Sequence, residues 1–152
     1  MRITDTRHKT TDTRLQTRDT GLNERNNMGR DFKNIKAWKY ADDLAVLVYS
    51  ASKSFPKIEM YGITSQLRRA AVSVPANIAE GASREHRKEY LHSLYVARGS
   101  IAETEYLLHF ANRLGYLPAG QYEELEAVRA RAAKTLHGLV AAVEKEAIVS
   151  KN

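Results

Sequence analysis

Glutamate and histidine side chains at short spacings could bind a metal ion in this sequence. Glu89 and His92 are three residues apart, so both would lie on one face of a helix. A di-iron helical bundle needs two such Glu-x-x-His pairs and one further Glu from each of the other two helices. The second pair is missing, because Glu105 and His109 are four residues apart. The segment predicted to form the first helix, at about residues 34–55, also contains no Glu, so the sequence does not favour a metal centre.

Arginine and histidine pairs raise a second possibility, which is RNA cleavage. Arg87–His92 and Arg131–His137 fit the spacing of helical ribonucleases of the HEPN type, in which a His follows an Arg by about four to six residues. In a chain with this many arginines such spacings arise by chance, and the usual polar neighbour of that Arg is a lysine in one pair and an alanine in the other. Gly-rich phosphate loops and a serine nucleophile elbow are absent. We expect no enzyme and no cofactor.

The composition indicates one intracellular domain. The chain has 152 residues and no cysteine, so disulfides and thiolate metal sites are excluded. No apolar run approaches the roughly 18 residues that a membrane span needs. The N-terminal segment lacks the apolar stretch of a secretory signal. We therefore expect a cytoplasmic protein without a membrane partner.

The net charge of +6 is unevenly distributed. Residues 1–30 contain seven Lys/Arg and four Asp/Glu, whereas residues 31–152 contain seventeen and fourteen. A basic balance favours acidic partners such as RNA or DNA. We therefore expect RNA or DNA as a partner, bound without strong sequence preference.

Residues 1–30 are predicted to be a disordered polar and basic tail. They contain almost no apolar residues and repeat the motif TDTR at 4–7 and 11–14. Such a segment buries too little surface to offset the entropy of ordering it. An alternative is that this stretch precedes the true start and that Met28 is the initiator.

Apolar periodicity predicts four helices, at about 34–55, 63–79, 87–114 and 118–147, and no strand. Helices of this length with short connections predict an all-α, antiparallel up-down-up-down bundle over residues 31–148 with a frayed end at 149–152. Pro75 predicts a kink in the second helix, and Gly81 is its predicted C-cap. The first helix carries a second apolar stripe, which a lone bundle would not need. We predict that this stripe, Tyr40, Leu44 and Leu47, joins copies of the chain.

Four stretches of sequence carry a family resemblance. They are FPKIEMYGITSQLRRAAVSVPANIAEGASR at 55–84, ARGSIAETEYLL at 97–108, LGYLP at 114–118 and, more loosely, FKNIKAWKYADDLA at 32–45. In order and spacing they resemble the 23S rRNA intervening-sequence proteins, also called four-helix-bundle proteins. The resemblance covers about residues 32–145.

The resemblance implies a bundle whose copies assemble into a ring. Similar proteins that serve diversity-generating retroelements form a basic homopentameric barrel. They contact a reverse transcriptase and its nucleic acid, and they are not themselves enzymes. The resemblance therefore implies a homopentamer as the assembly and a reverse transcriptase as a partner.

Two sets of residues follow as candidates. The first is a polar stripe that we expect to fix the kinked helix by hydrogen bonds, with a catalytic pocket as the alternative: Glu59, Gln66, Arg69, Ser73, Asn77, Glu80, Ser100 and Glu103. The second is a set of cations for nucleic-acid phosphates: Lys36, Lys39, Arg68, Arg84, Arg87, Lys88, Arg98 and Arg113.

The resulting prediction is a non-catalytic homo-oligomer that presents a basic surface to nucleic acid or to a protein that handles it. In a ring, the basic surface of each copy would repeat around the axis and the fields would add. The alternative is an RNA-processing enzyme, either a HEPN-like ribonuclease or a metal-dependent bundle.

Overall fold

The computed structural model describes residues 30–149 as a four-helix bundle. The helices are α1 Lys36–Ser52, α2 Ile63–Ala82, α3 Arg87–Arg113 and α4 Gln121–Val149. Two short 3-10 turns precede α1 and α2, at Phe32–Asn34 and Lys57–Glu59. Within residues 30–149 there is no strand, so the predicted all-α class is confirmed. The predicted tail, apart from Arg30, and residues 150–152 lie outside the described residues. Val149, predicted to belong to the frayed end, is instead the last residue of α4.

The helices follow one another around the bundle. Each packs against its neighbours in the chain, and α1 closes the bundle by packing against α4. One end of the bundle therefore holds the start of α1, the end of α2, the start of α3 and the end of α4. The opposite end holds the Lys57–Glu59 turn and the loop between α3 and α4. This is the predicted up-down-up-down order.

The core divides into two apolar clusters stacked along the bundle axis. The cluster near the start of α1 includes Ala41, Ile78 and Leu136, and the cluster near the Lys57–Glu59 turn includes Leu67 and Leu108. All four helices contribute to both clusters. Burial of this apolar surface is the dominant stabilising term, at about 25 cal/mol per Å².

The prediction that an apolar stripe on α1 joins copies of the chain is wrong for its central residue, Leu44. Leu44 is 0% exposed and belongs to the protomer's own core. Leu47 and Tyr40 are partly buried and pack against the two core clusters. The second stripe of α1 is covered because α1 lies between α2 and α4 and needs an apolar contact with each. The large apolar side chains that α1 leaves exposed are instead Val46 and Tyr49.

Pro75 lies buried within α2, which is continuously helical from Ile63 to Ala82. The bend that the proline predicts stays a prediction.

The predicted cap at Gly81 is wrong, because Gly81 lies inside the helix and Ser83 is the C-cap. A Cβ on Gly81 would be 2.8 Å from Tyr90 Cδ2 and 2.8 Å from Ser93 Cβ. Glycine is required here because α2 approaches α3 closely, rather than because the helix ends.

Gly115 follows α3 because the helix ends in a turn that places this residue in the left-handed conformation. Gly115 has φ +75°. Its N–H donates to the carbonyl of Asn112, and the N–H of Tyr116 donates to the carbonyl of Ala111. These two bonds form a Schellman motif, which favours glycine at the left-handed position. α4 then begins at Gln121, three residues after the predicted start at Pro118.

We expect Gly81→Ala to lower the free energy of unfolding by about 1–3 kcal/mol, because the added methyl group overpacks the α2–α3 contact. Gly99→Ala is the matched control, since a Cβ there would meet nothing within 4 Å. That change should raise the free energy by about 0.5–1 kcal/mol through helix propensity. Urea unfolding followed by circular dichroism measures both. Equal effects of the two changes would contradict the close approach.

Candidate functional site

A groove runs along the outer surface between the second half of α1 and the first half of α2. It consists of two adjacent hollows that share Tyr49 and Val72 as a common wall. Val46 lines one hollow, whereas Met60 and Tyr61 line the other. All five of these side chains are exposed, although all are large and apolar or aromatic. We call this surface the α1–α2 groove.

Cations line the same groove. Arg68 and Arg69 line the hollow beside Tyr61, and Lys53 lines the other, which Asp42 closes at its far end. None of the three cations forms an ion pair within residues 30–149. Their charge is therefore available to a ligand.

Arg68 is held in a fixed position by α1. Its Nε donates to Ser52 Oγ at 2.7 Å, and Ser52 Oγ in turn donates to the carbonyl of Tyr49 at 3.3 Å. The guanidinium carbon lies 4.8 Å from the centroid of the Tyr49 ring, a cation–π contact. A planar guanidinium oriented in this way is suited to bind a phosphate.

The loop before α2 forms the rim of the groove and is tied to the rest of the bundle by Glu59. One Glu59 oxygen accepts from the N–H of Ile63 at the start of α2, and the other accepts from the Tyr116 hydroxyl at 3.1 Å. Partial burial of the phenol, together with this hydrogen bond, raises the pKa of Tyr116 above its ordinary value. Next to this anchor the Tyr61 side chain is 98% exposed.

The predicted phosphate-binding cations do not form one patch. Five of them lie at the end of the bundle opposite the Lys57–Glu59 turn: Lys36, Lys39, Arg84, Arg87 and Lys88. Arg98 lies midway along α3 over the Tyr95 ring, and Arg113 ends α3. Of the predicted set, only Arg68 lines the α1–α2 groove.

Carboxylates neutralise part of the five-residue group. Arg84 pairs with Glu80, one turn earlier on α2. Arg87 pairs with Glu146 at 3.3 Å and also donates to the Glu146 carbonyl at 2.7 Å, which ties the start of α3 to the end of α4. Lys36, Lys39 and Lys88 are exposed and form no ion pair among the described residues.

The sequence of the chain matches the model of a known protein family. The family model described as 23S rRNA-intervening sequence protein matches residues 33–138, which is most of the chain. The chain belongs to this family. The resemblance in the sequence is thereby confirmed.

A solved structure has a similar fold. It is described as a protein with unknown function from the S23 ribosomal protein family of Bacteroides thetaiotaomicron. The match has a TM-score of 0.64 and 24% sequence identity, and it covers 68% of this chain and 97% of that one. No curated protein matches the chain. Neither the family description nor this relative's states a catalytic activity.

The predicted polar stripe on α2 is only partly joined into a network. Ser73 Oγ and Ser100 Oγ are 2.9 Å apart, and the Asn77 amide donates to both the carbonyl and the hydroxyl of Ser73. Thr104, which the sequence did not single out, is fully buried and donates to the Ser100 carbonyl. The serine pair links α2 to α3, which agrees with a positioning role for the stripe.

The other members of that stripe lie elsewhere. Glu59 holds the loop before α2, and Glu80 pairs with Arg84. Gln66 and Glu103 are exposed side chains, so the predicted network does not reach them. Arg69, one turn before Ser73, lines the α1–α2 groove instead.

The residues considered for chemistry are dispersed. Within residues 30–149 no group of three or more His, Cys, Asp or Glu side chains could hold a metal ion. His92, Arg131 and His137 are exposed, and Arg87 is bound to the end of α4. In that same part of the chain no helix is long and apolar enough to cross a membrane.

Sequence reasoning missed the two groove tyrosines and an ion-pair cluster. Arg129 on α4 pairs with Glu126 and, at 3.3 Å, with Glu105 of α3. The spacing of Glu126 and Arg129 is a local signal for the first pair, whereas the second joins separate helices. Tyr61 could have been found as an aromatic residue in a loop between two helices, outside the apolar periodicity of either.

A second exposed apolar surface follows the outer face of α3. Tyr106 and Phe110 stack with ring centroids 6.0 Å apart, and Tyr106 is 61% exposed. Leu114 follows one turn later, and Tyr95 precedes Tyr106 by about three turns on the same side. We call these four residues the α3 stripe.

Because the pKa of Tyr116 is raised in the fold, ionisation of this residue should lower the free energy of unfolding at alkaline pH. Its protonated phenol is favoured in the fold, so its contribution is complete below the ordinary phenol pKa of about 10 and is lost as pH rises through the raised folded value. As pH rises above about 10, the free energy of unfolding should therefore fall less steeply in Tyr116→Phe than in the parent chain. Urea unfolding across this range measures the slope. Ile58→Ala, which changes an exposed residue of the same loop and removes no ionisable group, is the control and should keep the parent slope; a parent-like slope in Tyr116→Phe would contradict the assignment.

Proposed function

We propose that this member of the family is a non-catalytic, homo-oligomeric bundle that binds nucleic acid through the α1–α2 groove. The observation that carries the proposal is the coincidence of unpaired cations and exposed aromatic rings in one groove. Cations supply affinity for phosphates, and exposed rings supply contact surface for bases.

The charge distribution supports this surface over the rest of the molecule. Residues 44–79 carry four Lys/Arg and one Asp/Glu, whereas residues 30–43 and 80–149 together carry thirteen of each. The segment that builds most of the groove therefore holds the whole positive excess of the described residues. Asp42, at one end of the groove, offsets one of these charges.

The orientation of Arg68 supports phosphate binding further. Tyr49 covers the guanidinium and Ser52 accepts from Nε, so less side-chain entropy remains to be lost when a ligand binds. Arg69 is its neighbour in sequence and lines the same hollow. Together they supply two cations without a carboxylate partner.

Self-association is assigned to the α3 stripe in this proposal. Tyr106, Phe110 and Leu114 form the apolar part of the stripe, and the stripe belongs to the part of the chain whose charges balance, so a second copy can approach it without strong net repulsion. Two copies of the α1–α2 groove make a poor contact with each other, because such a contact would bring their cations together; in a ring the α3 stripe of one copy would pack on a different surface of the next. The homopentamer and the reverse transcriptase that the resemblance implies stay predictions, and the ring would present one groove per copy.

We expect the double variant Lys53→Gln/Arg69→Gln to bind a labelled nucleic acid more weakly and to lower the slope of log affinity against log salt by about 1–2. The reason is that each cation bound to a phosphate contributes about 0.7–0.9 to that slope. Fluorescence anisotropy across a salt series measures it.

The matched control is Lys36→Gln/Lys88→Gln, which removes two exposed and unpaired cations at the opposite end of the bundle. Both double variants have the same net charge, so a difference between them reports position alone. The proposal predicts a parent-like slope for the control. A larger decrease in the control would assign binding to the predicted cations at that end and overturn the groove.

We expect the parent chain to elute as an oligomer and Tyr106→Glu to elute as a smaller species, because the carboxylate would be buried without a partner at the α3 stripe. Size-exclusion chromatography with light scattering gives the masses. Tyr61→Glu is the control and should keep the parent mass. A parent chain that is monomeric at micromolar concentration would overturn the assembly.

A further inference from the structure

We propose that the α1–α2 groove selects single-stranded nucleic acid by stacking an unpaired base on Tyr61. This inference rests on the proposed function and names the class of ligand. The four neighbouring features that carry it are the exposure of Tyr61, the size of the hollow beside it, the fixed Arg68 and the anchored loop.

Tyr61 has no role in holding the fold together. Its side chain is 98% exposed, and it makes no ring contact or hydrogen bond within residues 30–149. Both faces of its ring are therefore open to a ligand. A tyrosine in this state leaves a large aromatic surface in water, and stacking a base on it would recover that surface.

The loop that carries Tyr61 is held in place although its tip is exposed. Glu59, two residues earlier, binds both the start of α2 and the Tyr116 hydroxyl. The backbone that carries the ring is therefore fixed at the rim of the groove. Stacking a base restricts the side chain of Tyr61 but does not require the loop to be ordered first.

The hollow beside the ring fits a nucleotide. Its volume is about 690 Å³, which lies within the range of about 300–1,000 Å³ typical of small-molecule sites. Arg68 and Arg69 line this hollow together with Tyr61, so a base on the ring would bring its phosphate towards two unpaired cations. Arginine and tyrosine side by side are the combination with which proteins bind unpaired bases and their backbone.

A duplex cannot use both the Tyr61 ring and the cations of the groove. Its bases are stacked on each other and cannot cover an isolated ring, so a duplex would use only the cations. Purely electrostatic binding favours a duplex, because its charge density is higher than that of a single strand. A preference for the single strand is therefore evidence for base contact rather than for charge.

The test compares the binding of a uridine oligonucleotide, a thymidine oligonucleotide and a mixed-sequence duplex, each of about 20 nucleotides or base pairs, at one salt concentration. The full-length chain should bind both single strands more tightly than the duplex. Tyr61→Ala should weaken single-strand binding about 5- to 100-fold and leave duplex binding unchanged, whereas Tyr61→Phe should stay within about threefold of the parent.

Ile58→Ala is the matched control, because Ile58 is an equally exposed apolar residue of the same loop but has no ring. It should bind like the parent.

If Tyr61→Ala binds single strands like the parent while Lys53→Gln/Arg69→Gln weakens single-strand binding, the stacking is overturned and the proposed function stands. If Tyr61→Ala instead lowers the oligomer mass, Tyr61 belongs to a contact between copies and the inference is overturned. If no nucleic acid binds the parent chain, both proposals are overturned.

Discussion

The close contact between α2 and α3 determines which surface the bundle presents to a ligand. Gly81 brings the backbone of α2 against Tyr90 and Ser93, and the bonded hydroxyls of Ser73 and Ser100 fix the rotation of α2 at its middle. Once that rotation is set, Arg68, Arg69 and Val72 lie on the exposed side of α2 and line the groove, and Ser73 lies at its edge. The groove is thus in part a consequence of how α2 packs against α3. Within the groove, Tyr49 and Ser52 hold Arg68, and Glu59 holds the rim.

The fold could be predicted from the sequence because apolar side chains recur at helical spacing throughout residues 34–147. Helix boundaries were accurate within a few residues at most ends, and the predicted end of the third helix at about residue 114 lies next to Gly115, which has a left-handed backbone conformation. The two errors, at Leu44 and Gly81, have the same cause. A sequence shows which side of a helix is apolar or small, but it does not show which neighbour covers that side. Leu44 faces the protomer's own core, and Gly81 faces α3 rather than the end of its helix.

The site was less predictable because its properties depend on contacts between distant parts of the chain. The pairing of Glu80 with Arg84 can be inferred from a spacing of four residues. The pairing of Arg87 with Glu146 joins residues 59 apart, so no local pattern reveals it. Counting cations along the sequence therefore favoured the junction of α2 and α3, where carboxylates offset much of the charge. Arg68 was identified for its charge, but its contacts with Tyr49 and Ser52 required the packing of α1 on α2 to be known.

The position of Arg30 has a practical consequence for handling the protein. Its guanidinium lies 4.7 Å from the centroid of the Tyr90 ring, at the start of α3. Arg30 and the start of α3 lie at the end of the bundle remote from Tyr61. Attachment at the start of α3 leaves the tyrosine rim pointing into the solution, whereas a label near the loop between α3 and α4 would sit beside that rim. Immobilised binding measurements should therefore attach the chain at the end of the bundle that holds the start of α3.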